Sequence, residues 1–223
     1  MNNRNRLTST KALVEWLIRA GTQTIIILDN ESTYPPLLEY YYNVLESQNA
    51  ATVILQGNLG PWSFWEQGLF RTQSTPYIVT DADTVPSECC PTDLIQKMQS
   101  VLLGNPACGK VGPGLRLDNI PDLSREFITN GDGKGWAGEG VFWKSRHSSG
   151  AFNAPIDTTF AMYSAYSPWI PADWRNLRLD LPYVVEHAPW YVSKPFSEEE
   201  QYYRDHVNHN WSHVTWPSPI NDA

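Results

Sequence analysis

Basic residues are in short supply. Sixteen Lys and Arg stand against 24 Asp and Glu, a net charge of −8 over 223 residues, and no basic run occurs anywhere. That balance argues against a nucleic-acid partner or an anionic membrane surface, both of which need concentrated positive charge. Long hydrophobic runs are missing too: nothing approaches 18 consecutive apolar residues, and the polar opening Met1-Asn2-Asn3-Arg4-Asn5-Arg6 lacks the apolar core of a signal peptide. These two absences lead us to expect a soluble, cytoplasmic protein with no membrane segment. Cysteine is sparse and odd in number. Cys89, Cys90 and Cys108 have no Cys or His at ligand spacing beside them, which favours reduced structural thiols over a disulfide or zinc site. Internal repeats and low-complexity tracts are also lacking. What the chain does have is 10 Trp, 11 Tyr and 17 Pro, and enough length to bury one sizeable core. Aromatic faces stack on sugar rings but equally fill cores, so composition leaves both uses open.

Along the chain, residues 8–20 read as a helix with a Ser/Thr cap and Gly21 just past its end. Residues 24–28 are a continuous apolar run, as in a strand covered on both faces, and the run ends at Asp29-Asn30. A helix entered through Pro35-Pro36 follows, then a strand at 52–55, a loop at 57–61, a short helix at 62–70 and a strand at 77–80. Strand and helix alternate three times with short connections, which predicts an α/β fold with an open parallel sheet. After a helix at 92–103 the pattern becomes irregular. Residues 110–117 are strand-like but interrupted by Gly and Pro, so bent or at an edge. Residues 130–150 mix six Gly with Lys134, Trp136, Glu139, Trp143, Lys144, Arg146 and His147 and read as a functional loop. Asp157 opens a strand, another ends at His187, and an acidic helix begins near residue 198. We divide one domain into an N-terminal extension (1–21), a half of alternating strands and helices (22–105), an irregular half (106–197) and a C-terminal helix and tail (198–223).

The strand at 77–80 runs directly into Asp81-Ala82-Asp83. Alternate residues of an extended chain point the same way, so two carboxylates at this spacing can face one ligand, and they suit a hard divalent cation bridging to phosphate oxygens. In open α/β sheets ligands collect beyond the carboxyl ends of the strands. Asp29, the loop at 58–61 and the Asp81/Asp83 pair all lie at such ends.

Taken together, Thr24–Asn30, the stretch Asp29-Asn30-Glu31-Ser32-Thr33-Tyr34-Pro35-Pro36, the 77–86 segment with its Asp-x-Asp, residues 156–163 and His187-Ala188-Pro189-Trp190-Tyr191 resemble the GT-A-fold, family-2-like nucleotide-sugar glycosyltransferases. The likeness covers residues 22 to about 205 and extends to the N-terminal domains of chlorovirus capsid glycosyltransferases. It implies a single-domain GT-A architecture: Rossmann-like, with a mainly parallel central sheet, helices on both faces and a smaller acceptor-side sheet. It implies metal-dependent, inverting transfer of a sugar from a nucleotide-diphosphate sugar, a UDP-sugar by resemblance, to a hydroxyl on a glycan or other acceptor, with Mn²⁺ or Mg²⁺ as cofactor. On the matching positions, Asp83 and His187 would bind the metal, Asp81 would reach the ribose or a metal-bound water, and Asp29 would hold the base or ribose. Asn30, Thr33, Asn58, Leu59, Gly60 and Lys194 would complete the nucleotide site, with Lys144 and Arg146 as further diphosphate candidates. Asp157 is the candidate general base and Glu139 the second candidate. Family members begin at the first nucleotide-binding strand, whereas here a helix-like segment comes first.

Three rivals stand beside this reading. The hydrophobic strand followed by Asp81-x-Asp83-x-Val85 also resembles haloacid-dehalogenase phosphatases, with Asp81 as nucleophile, but that motif normally opens its fold. A non-catalytic carbohydrate-binding module would explain the tryptophans without needing the strand-end acids. The Gly112-Pro113-Gly114 stretch faintly resembles the Gly-rich loop of nucleotidyltransferases, but comes after the acids rather than before them. His206, His209 and His213 at helical spacing are better read as a polar surface face than as a zinc site.

Overall fold

In the computed structural model the described residues are 1–46, 50–121 and 139–206. The order is β1 (Asn2–Asn3), α1 (Thr8–Arg19), β2 (Ile26–Asn30), α2 (Pro35–Tyr40), β3 (Thr52–Gln56), α3 (Ser63–Glu66), β4 (Tyr77–Thr80), β5 (Thr84–Pro86), α4 (Leu94–Gly104), β6 (Val111–Gly112), β7 (Gly114–Leu115), β8 (Phe152–Asn153), β9 (Phe160–Tyr163), β10 (Leu177–Arg178), β11 (Val184–His187) and α5 (Glu198–Asp205). The turn α2 continues through Tyr41–Glu46 as a π-helix.

The expected parallel sheet is the first of three, ordered β1-β2-β3 with every pairing parallel. Its first strand was not legible in the sequence. Asn2 and Asn3 carry no hydrophobic periodicity, yet both are buried, and their amide nitrogens donate internally: Asn2 Nδ2 to the Pro61 carbonyl at 2.7 Å, and Asn3 Nδ2 to Tyr41 Oη at 2.6 Å. Asn2 pairs in parallel with Leu28 on one side and bridges in parallel to Asp81 on the other. The segment ahead of the apolar strand therefore sits inside the sheet and joins it to β4. In the second sheet, ordered β4-β9-β6-β10-β8, the β4/β9, β9/β6 and β10/β8 pairings are antiparallel and only β6/β10 is parallel. A third sheet, β5-β11-β7, sets β11 antiparallel to β5.

Helix α1 buries Leu13, Val14, Trp16 and Leu17 along one stripe, the 3.6-residue period of an amphipathic helix, and packs on β5. Gly21, at φ +78°, turns the chain past its end. Its N-terminus is capped from far along the chain rather than by a local Ser or Thr: the Glu199 carboxylate accepts from Leu7 N at 2.9 Å and from Thr8 N at 3.0 Å. A carboxylate satisfies orphan N–H groups there and meets the positive end of the helix dipole. The 110–117 stretch divides at Pro113 into β6 and β7, which belong to different sheets. Gly112 is required by packing, because a Cβ there would run into the Phe160 carbonyl. Much of the aromatic content fills the interior. Trp16, Trp65 and Trp190 are buried, and Tyr77 stacks on Tyr163 with centroids 5.4 Å apart. Trp174, by contrast, is 51% exposed.

Candidate active site

The ends of β1, β2, β3 and β4 meet along one edge. Asn30 Oδ1 accepts from Gln56 Nε2 at 2.9 Å and from Leu59 N at 3.3 Å, which draws the Asn58–Leu59–Gly60 loop against β2. Gly60 takes φ +79°, a left-handed turn that suits glycine. Arg4 donates to the Asn30 carbonyl at 3.0 Å. Asp29, the strand-end acid, is 1% exposed and both its oxygens are engaged: Oδ1 accepts from Ser32 N at 2.8 Å and Oδ2 from Tyr41 Oη at 2.9 Å. In this arrangement Asp29 holds the turn that follows it. Asn5, a residue the sequence reading did not single out, does the same from the bend after β1. Its Oδ1 accepts from Thr33 N at 2.7 Å and Tyr34 N at 3.0 Å, with φ at +52°. Thr33 is exposed and accepts from the Tyr202 hydroxyl of α5 at Oγ1, 3.0 Å. Helix α5 thus lies along this edge, and Glu200 on it pairs with Arg6 at 2.5 Å.

The Asp-x-Asp turn is tied down by threonines. Thr80 Oγ1 and Thr84 Oγ1 lie 2.8 Å apart, and both reach the Thr159 carbonyl, at 2.7 and 2.8 Å. Asp81 N donates to the same carbonyl at 2.8 Å. The Asp81 side chain accepts from Thr158 Oγ1 at 2.7 Å. Burial pushes its pKa well above the ordinary carboxylate range; the neighbouring Asp83 adds to this and the Thr158 hydroxyl partly offsets it.

Asp83 points differently. The pairing of β11 with β5 sets His187 opposite Thr84, and His187 Nε2 comes to 3.7 Å from Asp83 Oδ1. The imidazole is braced edge-on by the Trp190 ring, centroids 4.9 Å apart, and Ala188 N donates to the Asp83 carbonyl at 2.7 Å. Asp83 Oδ1 and His187 Nδ1 are enclosed by protein and have no hydrogen-bond partner. An enclosed carboxylate oxygen left without a partner is costly, and a divalent cation between Oδ1 and the imidazole would satisfy it. The donor set fits Mn²⁺ or Mg²⁺, which take one or two protein groups and fill the remaining positions with phosphate and water. Among the described residues no cluster of three or more His, Cys, Asp or Glu forms a protein-only cage. The structure therefore brings Asp83 and His187 together and gives Asp81 to Thr158.

On the far side, Asp157 is exposed, and its backbone carbonyl accepts from Lys110 Nζ at 3.3 Å. The Glu139 carboxylate is held in an ion pair by Arg178, which also donates to the Pro155 carbonyl at 2.8 Å. Lys110 was missed by the sequence reading, which saw only a strand residue. It is 0% exposed, and burial lowers its pKa from 10.5 to about 8 against the opposing pull of Asp157 and Asp173. Lys194 is exposed, with its ammonium 5.9 Å from the Phe196 ring centroid. Arg146 pairs with Asp180 at 3.0 Å and Lys144 is exposed. Lys134, Trp136, His209 and His213 lie outside the described residues. No described helix is long and apolar enough to cross a membrane.

Comparison with protein-family models and with curated proteins finds no match. Among solved structures the chain is similar to the mannosyltransferase PcManGT from Pyrobaculum calidifontis, solved in complex with GDP-Man and Mn²⁺. The TM-score is 0.55 at 12% identity, covering 87% of this chain. The chain spans 56% of that protein's length. At this identity the likeness is one of fold, and it shows a glycosyltransferase-like α/β fold over most of the chain.

Proposed function

We propose that the chain is a metal-dependent glycosyltransferase that moves a sugar from a nucleotide-diphosphate sugar to an acceptor hydroxyl. The observation that carries this reading is the Asp83–His187 pair. It is an enclosed carboxylate oxygen without a partner, 3.7 Å from an imidazole, at the end of a sheet whose fold is shared with a protein solved with GDP-Man and Mn²⁺. A bound Mn²⁺ or Mg²⁺ would supply neutralisation of the diphosphate as it leaves. The rest is done by the chain. Asp83 and His187 would hold the cation, and Asp81, fixed by Thr158 and Thr159, would meet the ribose side of the donor. The turn at Asn30 and Thr33 and the Asn58–Leu59–Gly60 loop receive the nucleoside, with Asp29 and Asn5 setting the backbone they are built on. Lys194 contributes charge from the segment after β11.

Asp157 removes the proton from the attacking hydroxyl. It is preferred to Glu139 because its carboxylate is exposed, whereas that of Glu139 is locked to Arg178. Attack by the hydroxyl on the face opposite the leaving diphosphate would invert the anomeric centre. A UDP-sugar is the donor we favour, from the family resemblance, with a glycan or other hydroxyl compound as acceptor; the chlorovirus capsid glycosyltransferases are the relatives that resemblance names. Thermal-shift measurements against a panel of UDP-sugars and GDP-mannose, with and without Mn²⁺, test the reading. Stabilisation by one donor that depends on Mn²⁺ is expected, and a flat response across the panel in both conditions would remove it.

A further inference from the structure

The residues assigned so far leave one buried charged group unused. Lys110 precedes β6 with its side chain entirely out of solvent, yet no described carboxylate lies within ion-pairing distance of it. Its ammonium donates to Tyr163 Oη at 3.2 Å and to the Asp157 carbonyl at 3.3 Å, and it sits 5.4 Å from the Tyr163 ring centroid and 6.0 Å from that of Trp169. A methionine would fill the same volume without the desolvation cost of a cation.

The carbonyl it grips belongs to a three-residue turn on which the proposed site depends. Asp157 supplies the base, Thr158 holds the Asp81 carboxylate, and the Thr159 carbonyl accepts from Asp81 N, Thr80 and Thr84. From the β4 side that turn is anchored by four hydrogen bonds. From the other side the contact that fixes Asp157 is the one from Lys110.

We propose that Lys110 is a positioning residue. As an ammonium ion it clamps the 157–159 turn so that the Asp157 carboxylate stands at the acceptor side while Asp81 stays on Thr158. This rests on the reading of Asp157 as the base. The charged groups around it act in opposite senses: Asp157 and Asp173 favour its protonated form, and Arg178 and burial disfavour it. Its proton is lost near pH 8, so the clamp weakens in mildly alkaline solution.

The test uses the full chain and two readouts. In Lys110→Met, the transfer rate at saturating substrate should fall by roughly 10- to 100-fold, while Mn²⁺ and donor affinity stay within about twofold. The wild type should lose rate as pH rises through about 8, and that fall should disappear in the variant. An unchanged rate, or an alkaline limb that persists in the variant, overturns the proposal. The second readout needs neither activity nor that variant. In lysine-labelled protein, NMR titration of Lys110 should give a lower midpoint in Asp157→Asn than in the wild type; equal midpoints also overturn it. If the wild type transfers no sugar from any donor, the glycosyltransferase reading fails, whereas the coupling of Lys110 to Asp157 is still decided by the NMR comparison.

Discussion

Asp29 and Asp83 are both acids at the end of a sheet strand or just past it, and the chain treats them in opposite ways. Asp29 has a backbone N–H on one oxygen and a tyrosine hydroxyl on the other. Asp83 keeps one oxygen enclosed and unpartnered beside an imidazole whose Nδ1 is likewise unpartnered. A polar group that is fully satisfied within the protein is scaffolding. One that is buried and unsatisfied costs stability unless something arrives to complete it. The same contrast separates the two halves of the molecule. Around the parallel strands β1 to β3, Asn2, Asn5 and Asn30 are hydrogen-bonded within the protein, whereas the groups we propose for chemistry, Asp83, His187 and Asp157, lie with the other two sheets.

The contrast can be broken most severely at Asp83. Asp83→Asn should abolish Mn²⁺-dependent donor binding and transfer while the protein melts no lower than wild type. Unchanged calorimetric donor affinity in the presence of Mn²⁺ would place the metal elsewhere. Next in size, Asp157→Asn should retain donor binding and lose transfer by about 10²–10⁴-fold. Survival of transfer there, with loss in Glu139→Gln, would move the base to Glu139. Asp29→Ala is expected to act on stability instead. It strands the Ser32 N–H and the Tyr41 hydroxyl, at a cost of about 2–3 kcal/mol in denaturant unfolding. Normal stability combined with lost nucleotide affinity would make Asp29 a ligand group and erase its difference from Asp83.

The smallest effect concerns pH. Asp81 has its folded pKa raised above the unfolded value, so the stability tied to its protonated form is complete below about pH 3.9 and is lost as pH rises through the folded value. Asp81→Asn should therefore narrow the fall in melting temperature between acid and neutral solution. An identical pH dependence in both proteins would remove Asp81 from the strained set.

Most of the helices and the longer strands were legible because their apolar residues repeat at regular intervals: α1, β2, β3, β4 and α4 fall within a few residues of where the pattern places them. What escaped is polar or short. β1 consists of two asparagines, and β8 and β10 are two residues each, too short to carry a period; the bent strand read at 110–117 is present, but as β6 and β7 in separate sheets. The mainly parallel central sheet that was expected is wholly parallel only in β1-β2-β3; in the second sheet β9 returns antiparallel between β4 and β6, and the parallel pairs β6/β10 and β7/β11 are isolated. Within the site, the Asp83–His187 meeting was foreseen from the resemblance of their two segments, whereas the internal employment of Asp29 was not. Whether a strand-end acid faces inward or outward depends on partners as remote as Tyr41, and no local spacing encodes them. Lys110 was invisible for the same reason: a lysine before a short strand reads as surface until the fold encloses it.

The central claim is that a cation sits between Asp83 and His187. Anomalous diffraction from crystals soaked in Mn²⁺ and a nucleoside diphosphate measures this directly. A single manganese peak in contact with Asp83 Oδ1 and His187 Nε2 is the expected result, and a well-ordered nucleotide with no manganese at that pair would contradict it.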